Sequence, residues 1–225
     1  MQHAESNSGD GTHTDRASRA AELGCAALVD AMGRIHKHRA HILAMTSPDA
    51  SRSLFGPAVT VAFLPYRDDL PQTDIGFPAL FAEAIGQRPG RQVLVLSSGG
   101  YPDESHGGGT KLSRVEHNRL AGVLADGRLR DFEQLRGYDF ATWCRGEATH
   151  WGGDTVMPYA ANVGVEIAGV LIAPGDYVYA DASGAVVIPP RSLDQVLDEA
   201  AKVEAEDDEA AEQIGREPVP PNDNR

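Results

Sequence analysis

The residues best equipped for chemistry lie between positions 107 and 131. The chain there reads Gly107-Gly108-Gly109-Thr110-Lys111, passes Gly122-Val123-Leu124-Ala125 and the turn pair Asp126-Gly127, and reaches Arg130-Asp131. A glycine turn entering a helix aims several backbone N–H groups one way, at the positive end of the helix dipole. Such a nest binds a carboxylate or phosphate. Arg130 falls just past a strand end, where α/β sheets bind ligands, and a guanidinium grips a carboxylate through two parallel hydrogen bonds. Asp131 offers hard oxygens of the kind that hold magnesium. The combination fits an oxo acid: carboxylate on the nest and Arg130, remaining oxygens on a divalent ion. An Arg-Asp pair after a turn is equally the pattern of an ordinary surface ion pair. A P-loop is excluded, because the required Gly-Lys pair is missing.

Three further groups could join this site. His106 precedes the glycine turn, within reach of a bound substrate as a proton carrier. Lys111 is either a carbonyl-binding amine or a solvent-facing lysine. His36, His38 and His41 cluster with Lys37 and Arg39, while His117 and His150 have no partner visible in sequence.

The elements that must position these groups follow from periodicity. Residues 17–33 carry Leu23, Ala27, Leu28, Ala31 and Met32 at helical spacing, ended by Gly33. Ala58-Val59-Thr60-Val61-Ala62-Phe63 and Val93-Leu94-Val95-Leu96 read as buried strands, with a helix between them around 77–85. Residues 97–109 read as a loop, 111–120 as a helix, and 122–125 as a strand closed by the Asp-Gly turn. A short helix or loop follows near 132–135. Residues 165–172, 177–180 and 185–188 are strand candidates, and 191–214 form one long acidic helix. Residues 1–15 are expected to be a flexible arm and 215–225 a disordered tail. Strands alternate with helices early and cluster late. This predicts a single α/β domain over 16–190 with helices packed on a mixed sheet.

Composition narrows the function classes. The 225 residues carry a net charge of −13, much of it in 194–217. That field repels nucleic acid, though a local arginine can still capture a small anion. No apolar run is long enough for a membrane helix. The polar N-terminus lacks the apolar core of a secretory signal, so a cytoplasmic protein is expected. Cys25 and Cys144 stand far apart and outside any CxxC spacing, so neither a zinc site nor a disulfide is expected.

Several segments also resemble the RraA-like family, which includes the 4-hydroxy-4-methyl-2-oxoglutarate aldolases and the regulator of ribonuclease activity A. They are Gly56-Pro57-Ala58-Val59-Thr60-Val61, Pro89-Gly90-Arg91-Gln92-Val93-Leu94-Val95, and Gly108-Gly109. The series continues with Ala121-Gly122-Val123-Leu124-Ala125-Asp126-Gly127-Arg128-Leu129-Arg130-Asp131 and Ala173-Pro174-Gly175-Asp176. It ends with Tyr179-Ala180-Asp181-Ala182-Ser183-Gly184-Ala185-Val186-Val187-Ile188-Pro189. Asp30-Ala31-Met32-Gly33-Arg34 upstream also fits.

The resemblance implies an αββα sandwich of the swivelling-domain type and a homotrimer or dimer of trimers with sites at subunit boundaries. It implies Mg2+ (or Mn2+) held partly by Asp131. It places the substrate, a small anionic 2-oxo acid, on Arg130 and the turn from Gly108 through Gly109 and Thr110 to Lys111. An acid from a neighbour's C-terminal helix, Glu206 or Asp207, would complete the site; a solvated charge run is the other reading of that helix. The implied activity is carbon–carbon lyase chemistry, aldolase or decarboxylase in type, through an enolate that releases pyruvate or a relative. The alternatives are a protein-binding regulator without catalysis, or a diverged enzyme of specialised metabolism. One position departs from the pattern: Gly109 stands where the aldolases carry an aspartate. Asp131, which the ribonuclease regulator lacks, is retained.

Overall fold

The apolar runs become strands of one mixed sheet, and the amphipathic stretches become the helices that cover it. The structure is a computed structural model that describes residues 8–70 and 76–218. In chain order the elements are α1 (Ser8–Ile35), β1 (His41–Ile42), β2 (Leu54–Pro65), α2 (Phe77–Ile85), β3 (Val93–Leu96), β4 (Ser105–Gly107), α3 (Gly109–His117) and β5 (Gly122–Ala125). Then come β6 (Arg128–Leu129), α4 (Phe132–Arg136), β7 (Ala141–Trp143), β8 (Val156–Ala161), β9 (Val165–Ile167) and β10 (Val170–Ile172). The last are β11 (Tyr177–Asp181), β12 (Gly184–Ile188) and, after a short 3-10 turn, α5 (Leu193–Gly215).

The main sheet has the order β1-β12-β11-β2-β3-β5-β7, with β8 also paired to β2. The long β2 joins its two halves. It runs antiparallel to β11 over residues 54–57, parallel to β3 over 58–61, and antiparallel to β8 beyond that. Alternate residues of β2 separate the cores. Phe55 packs with α1 and α5, while Val59, Val61 and Phe63 pack with α2 and α3. Leu54 and Ala58 join Trp143 and the β9–β10 hairpin in a third cluster. This is the mixed α/β single domain expected from the alternation of patterns. Among the described residues, no helix is long and apolar enough to cross a membrane. Both cysteines are free and buried.

Two expectations about the ends need correction. Residues 8–15, expected to lie in a flexible arm, are the first turns of α1, whose helical path is broken at Gly24 (φ 74°). Tertiary contacts hold them: the His13 ring lies 5.6 Å from Phe55 and 6.4 Å from Tyr177, and Arg91 donates to the Thr14 hydroxyl. Residues 1–7 and 219–225 lie outside the described residues. The acidic run is not merely a solvated face. Arg16 pairs with Asp194, Arg19 with Asp198, and Arg34 with both Glu199 and Glu206, fastening α5 along α1. Exposed pairs of this kind contribute little individually. The apolar seam of Leu28, Ala31, Met32, Val196, Leu197, Ala200 and Val203 does most of the holding.

Candidate functional site

Two short strands outside the main sheet build the site. β4 pairs in parallel with β6, and the Arg130 N–H donates to the Gly107 carbonyl at 2.9 Å. The glycine turn and the Arg-Asp pair, more than twenty positions apart in sequence, are thereby clamped side by side. They line a cleft of about 230 Å³ with Ser105, Gly107, Gly108, Thr110, Lys111 and Trp151. Its size suits a small acid.

Asp131 sits in the left-handed region at φ 65°. Aspartate tolerates this conformation better than most residues. The turn aims its carboxylate at α3, where Oδ2 accepts the Gly109 N–H at 3.0 Å. The Thr110 and Lys111 N–H groups, also in the first turn, have no helical carbonyl to reach. Asp131 therefore faces Gly109, and among the described residues the Arg130 guanidinium has no ion-pair partner. The ordinary surface ion pair that the sequence allowed does not form. A free guanidinium beside unpaired helix N–H groups is an anion receptor.

Lys111 is not solvent-facing. Its Nζ donates to the His106 carbonyl at 3.1 Å and lies 4.9 Å from the Phe77 ring centroid. Burial, and secondarily the charge of Arg114, push its pKa below the usual lysine range. It also lines a second chamber with Phe63, Tyr66, Phe77, Met157 and Trp151. Lys111, Ser105 and Trp151 border both spaces.

His106 does not fill the catalytic role considered for it. It is fully buried and does not line the cleft. Nδ1 faces the Glu104 carbonyl at 2.9 Å and Nε2 the Ser98 carbonyl at 3.0 Å, so neither nitrogen is left for a substrate proton. Burial lowers its pKa, against the pull of those two carbonyls. Glu206 is likewise not brought to Asp131 within one chain. It bonds Arg34 at 2.6 Å and is absent from the cleft lining.

Trp151 and Ser105 were missed by sequence reasoning. The usable signal was a large aromatic ring before Gly152-Gly153; in the structure Trp151 is 61% exposed at the mouth of the cleft. Nothing in the sequence marks Ser105, whose hydroxyl donates to the Gly107 carbonyl.

Gln134 occupies the space that a side chain at Gly109 would enter. A Cβ there would fall 2.0 Å from Gln134 Oε1 and 2.8 Å from its Cγ. Gln134 in turn donates to the Tyr138 hydroxyl, which donates to the Gly109 carbonyl. Gly109→Asp is therefore expected to push the exposed Gln134 side chain aside and break its bond to the Tyr138 hydroxyl, at a cost of about 1 kcal/mol. In a Gln134→Ala background the same substitution should cost little in urea denaturation. An equal cost in both backgrounds would contradict the clash.

Comparison with known proteins identifies the family and the fold. The RraA-like family, described as Aldolase/RraA, matches residues 25–187. A candidate 4-hydroxy-4-methyl-2-oxoglutarate aldolase of Halalkalibacterium halodurans is 34% identical over 120 residues, covering 53% of this chain and 56% of that protein. Protein DlpA of Legionella pneumophila is 28% identical over 144 residues, covering 64% of this chain and 23% of that protein. The match thus spans about half of one relative's length and a quarter of the other's. Among solved structures, Streptomyces coelicolor RraAS2, described as an unusual member of the RNase ES inhibitor RraA protein family, is 28% identical. It superposes with a TM-score of 0.76 over 91% of this chain and 98% of that one. A Pseudomonas syringae protein has the same fold at 24% identity, with a TM-score of 0.76 and coverage of 92% and 91%. The chain belongs to the RraA-like family.

Proposed function

We propose that the chain is a carbon–carbon lyase acting on a small 2-oxo acid in the cleft between β4, β6 and α3. The observation that carries this reading is the Arg130 guanidinium, unpaired among the described residues, beside the open first turn of α3. In a chain of net charge −13, such a cation lining a cleft is positioned for an anion. A substrate carboxylate on Arg130 brings the neighbouring C2 carbonyl into the field of Arg130 and Lys111. Positive charge fixed there stabilises the electron pair left at C3 when the bond to C4 breaks. The oxygen of Asp131 not bonded to Gly109 is a base for the C4 hydroxyl proton.

The magnesium expected from the resemblance finds a poor donor set here. Gly109 offers no carboxylate, Asp131 already accepts the Gly109 N–H, and Glu206 is engaged by Arg34. No group of three His, Cys, Asp or Glu side chains fit to hold a metal occurs among the described residues. These residues do not fit a resident metal, and no step is derived through one. A trimer, or a dimer of trimers, belongs to the proposal as the arrangement that would bring a neighbour's Glu206 or Asp207 to the cleft.

Likeness to RraAS2 favours a second reading, a protein-binding regulator of ribonuclease activity without chemistry. The two separate in one assay. The protein is incubated with 4-hydroxy-2-oxo acids and with oxaloacetate, with and without EDTA, and pyruvate is followed by a coupled dehydrogenase. Pyruvate release that survives the chelator is expected. No release from any substrate, with added magnesium or without it, removes the lyase reading.

A further inference from the structure

We propose that Trp151 is a specificity-determining residue whose indole stacks on a planar group of the bound acid. The cleft then takes 2-oxo acids bearing an aromatic ring in preference to saturated ones of the same size. The inference rests on reading the cleft as an oxo-acid site, and it names the substrate class within that reading.

Single exposed aromatic residues are ordinary on a protein surface. Trp151 differs in three respects. It is 61% exposed, yet it lines the same cleft as Arg130. It is also fixed to the strand that builds that cleft. Gly152 is buried against β4, where an added Cβ would fall 2.6 Å from the Ser105 carbonyl oxygen and 3.1 Å from the Ser105 nitrogen. The Gly152 carbonyl accepts the Thr155 and Val156 N–H groups at 3.0 and 2.8 Å, closing a tight turn that leads into β8. On the other side, His150 stands 3.7 Å from the carboxylate of Glu104, the residue before β4.

Third, the indole folds back on its own turn. A Cβ at Gly153 would fall 2.2 Å from Trp151 Cζ2 and 2.3 Å from Cε2, so the ring lies against backbone that only glycine leaves open. The side chain is therefore placed before a ligand arrives, which lowers the ordering cost of binding. The second tryptophan shows the contrast. Trp143 is 1% exposed, and its indole N–H donates to the Arg52 carbonyl at 3.2 Å. The Trp151 indole N–H has no hydrogen-bond partner among the described residues. Trp143 is spent on the core, while Trp151 has ring surface and a donor open to the cleft.

An indole attracts a flat π system beyond the area the two cover, and a puckered saturated ring gains only the area. There is room for such a ring. A second space of about 200 Å³ shares Ser105, Lys111 and Trp151 with the cleft. A carboxylate on Arg130 therefore leaves the far end of the acid beside the indole, with space on both sides of it.

The test is calorimetric titration of the full-length protein with pyruvate, phenylpyruvate and cyclohexylpyruvate. The last two match closely in size and differ in flatness. Phenylpyruvate is expected to bind about 3- to 10-fold more tightly than cyclohexylpyruvate, the range an aromatic pair supplies. Trp151→Ala and, with more bulk kept, Trp151→Leu should both erase that ratio, and Trp151→Phe should keep part of it. Pyruvate binding, retained in all three, checks that the cleft is intact. Phenylpyruvate no tighter than cyclohexylpyruvate in the unsubstituted protein overturns the proposal without reference to how the variants fold. A ratio that survives Trp151→Ala and Trp151→Leu also overturns it. If sedimentation then shows that those variants dissociate an oligomer, Trp151 is a contact between copies instead. The readings fail separately. Pyruvate binding without an aromatic preference removes the stack and leaves the oxo-acid cleft. An aromatic preference in a protein that releases no pyruvate from 4-hydroxy-2-oxo acids leaves the stack and removes the lyase. No binding of any of the three acids removes both the cleft and the stack.

Discussion

Arg130→Ala is expected to lower kcat/KM for 2-oxo acid cleavage about 100- to 1,000-fold, the loss typical when one charge-stabilising donor is removed from an enzyme site. The thermal midpoint should hardly move. The structural contact of this residue is its backbone N–H to Gly107, which alanine keeps. Arg130→Lys should fall between, since a lysine restores charge without the two-pronged geometry that matches a carboxylate. Two measurements check this: steady-state kinetics of pyruvate release, and thermal shift with pyruvate or oxalate as the anion. The substitution should abolish the shift. Unchanged kinetics and an unchanged shift would mean that the anion binds elsewhere. The prediction depends on Arg130 having no ion-pair partner among the described residues, which no sequence pattern could supply. Read from sequence, Asp131 is its natural partner. In the fold the left-handed turn at Asp131 gives that carboxylate to Gly109 instead.

The same contrast separates what was legible from what was not. Val93-Leu94-Val95-Leu96 and the centre of β2 announce themselves because uninterrupted β-branched and leucine runs have few other uses in a polar chain. Helix α2 begins and ends at the expected residues, 77 and 85, because a Gly-Phe-Pro start and Gly86 punctuate it. β7 and β8 were not anticipated. Ala141–Trp143 is three residues long, and Val156–Ala161 carries Pro158. Short or proline-bearing strands gain their identity from neighbours rather than from composition. Residues 8–15 read as an arm for a related reason: glycine, serine and aspartate argue against a helix locally, while the rings of His13, Phe55 and Tyr177 decide it from afar.

At the site, the meeting of the glycine turn with the Arg-Asp segment was legible and the side-chain assignments were less so. Gly108, Gly109, Thr110, Lys111, Arg130 and Asp131 were placed together by motif, and the β4–β6 pairing does bring their segments into contact. His106 and Glu206 were chosen for chemical type at a plausible spacing. Type and spacing cannot show that one is sealed against backbone carbonyls and the other drawn to Arg34.

Gly127→Ala should be the most damaging single substitution near the site, destabilising the fold by about 3 kcal/mol or more, the range reached by severe overpacking. The cause is steric. A Cβ at Gly127 would lie 1.8 Å from His106 Nδ1 and 2.3 Å from Cε1. The imidazole has nowhere to go: it stands edge-on to Phe63, with ring centroids 4.7 Å apart, and both nitrogens face carbonyls. Nor can the turn lift away. Asp126 beside it is buried, accepting the Ser98 hydroxyl at 2.6 Å and the Arg145 guanidinium at 2.8 Å. The Asp-Gly turn that delivers Arg130 is thus built against His106, which gives that ring a positioning role in place of a catalytic one.

His106→Ala alone should cost about 2–4 kcal/mol by opening a cavity. The double variant His106→Ala with Gly127→Ala should be more stable than the sum of the two losses predicts, by about 1–3 kcal/mol, as touching residues are coupled. Urea denaturation of the four proteins measures that coupling. Activity per folded molecule supplies the readout a purely structural clash would not. If His106→Ala retains full stability yet abolishes turnover, the ring carries protons and the positioning role is wrong. If the losses simply add, Gly127 and His106 do not share the contact that the geometry assigns them.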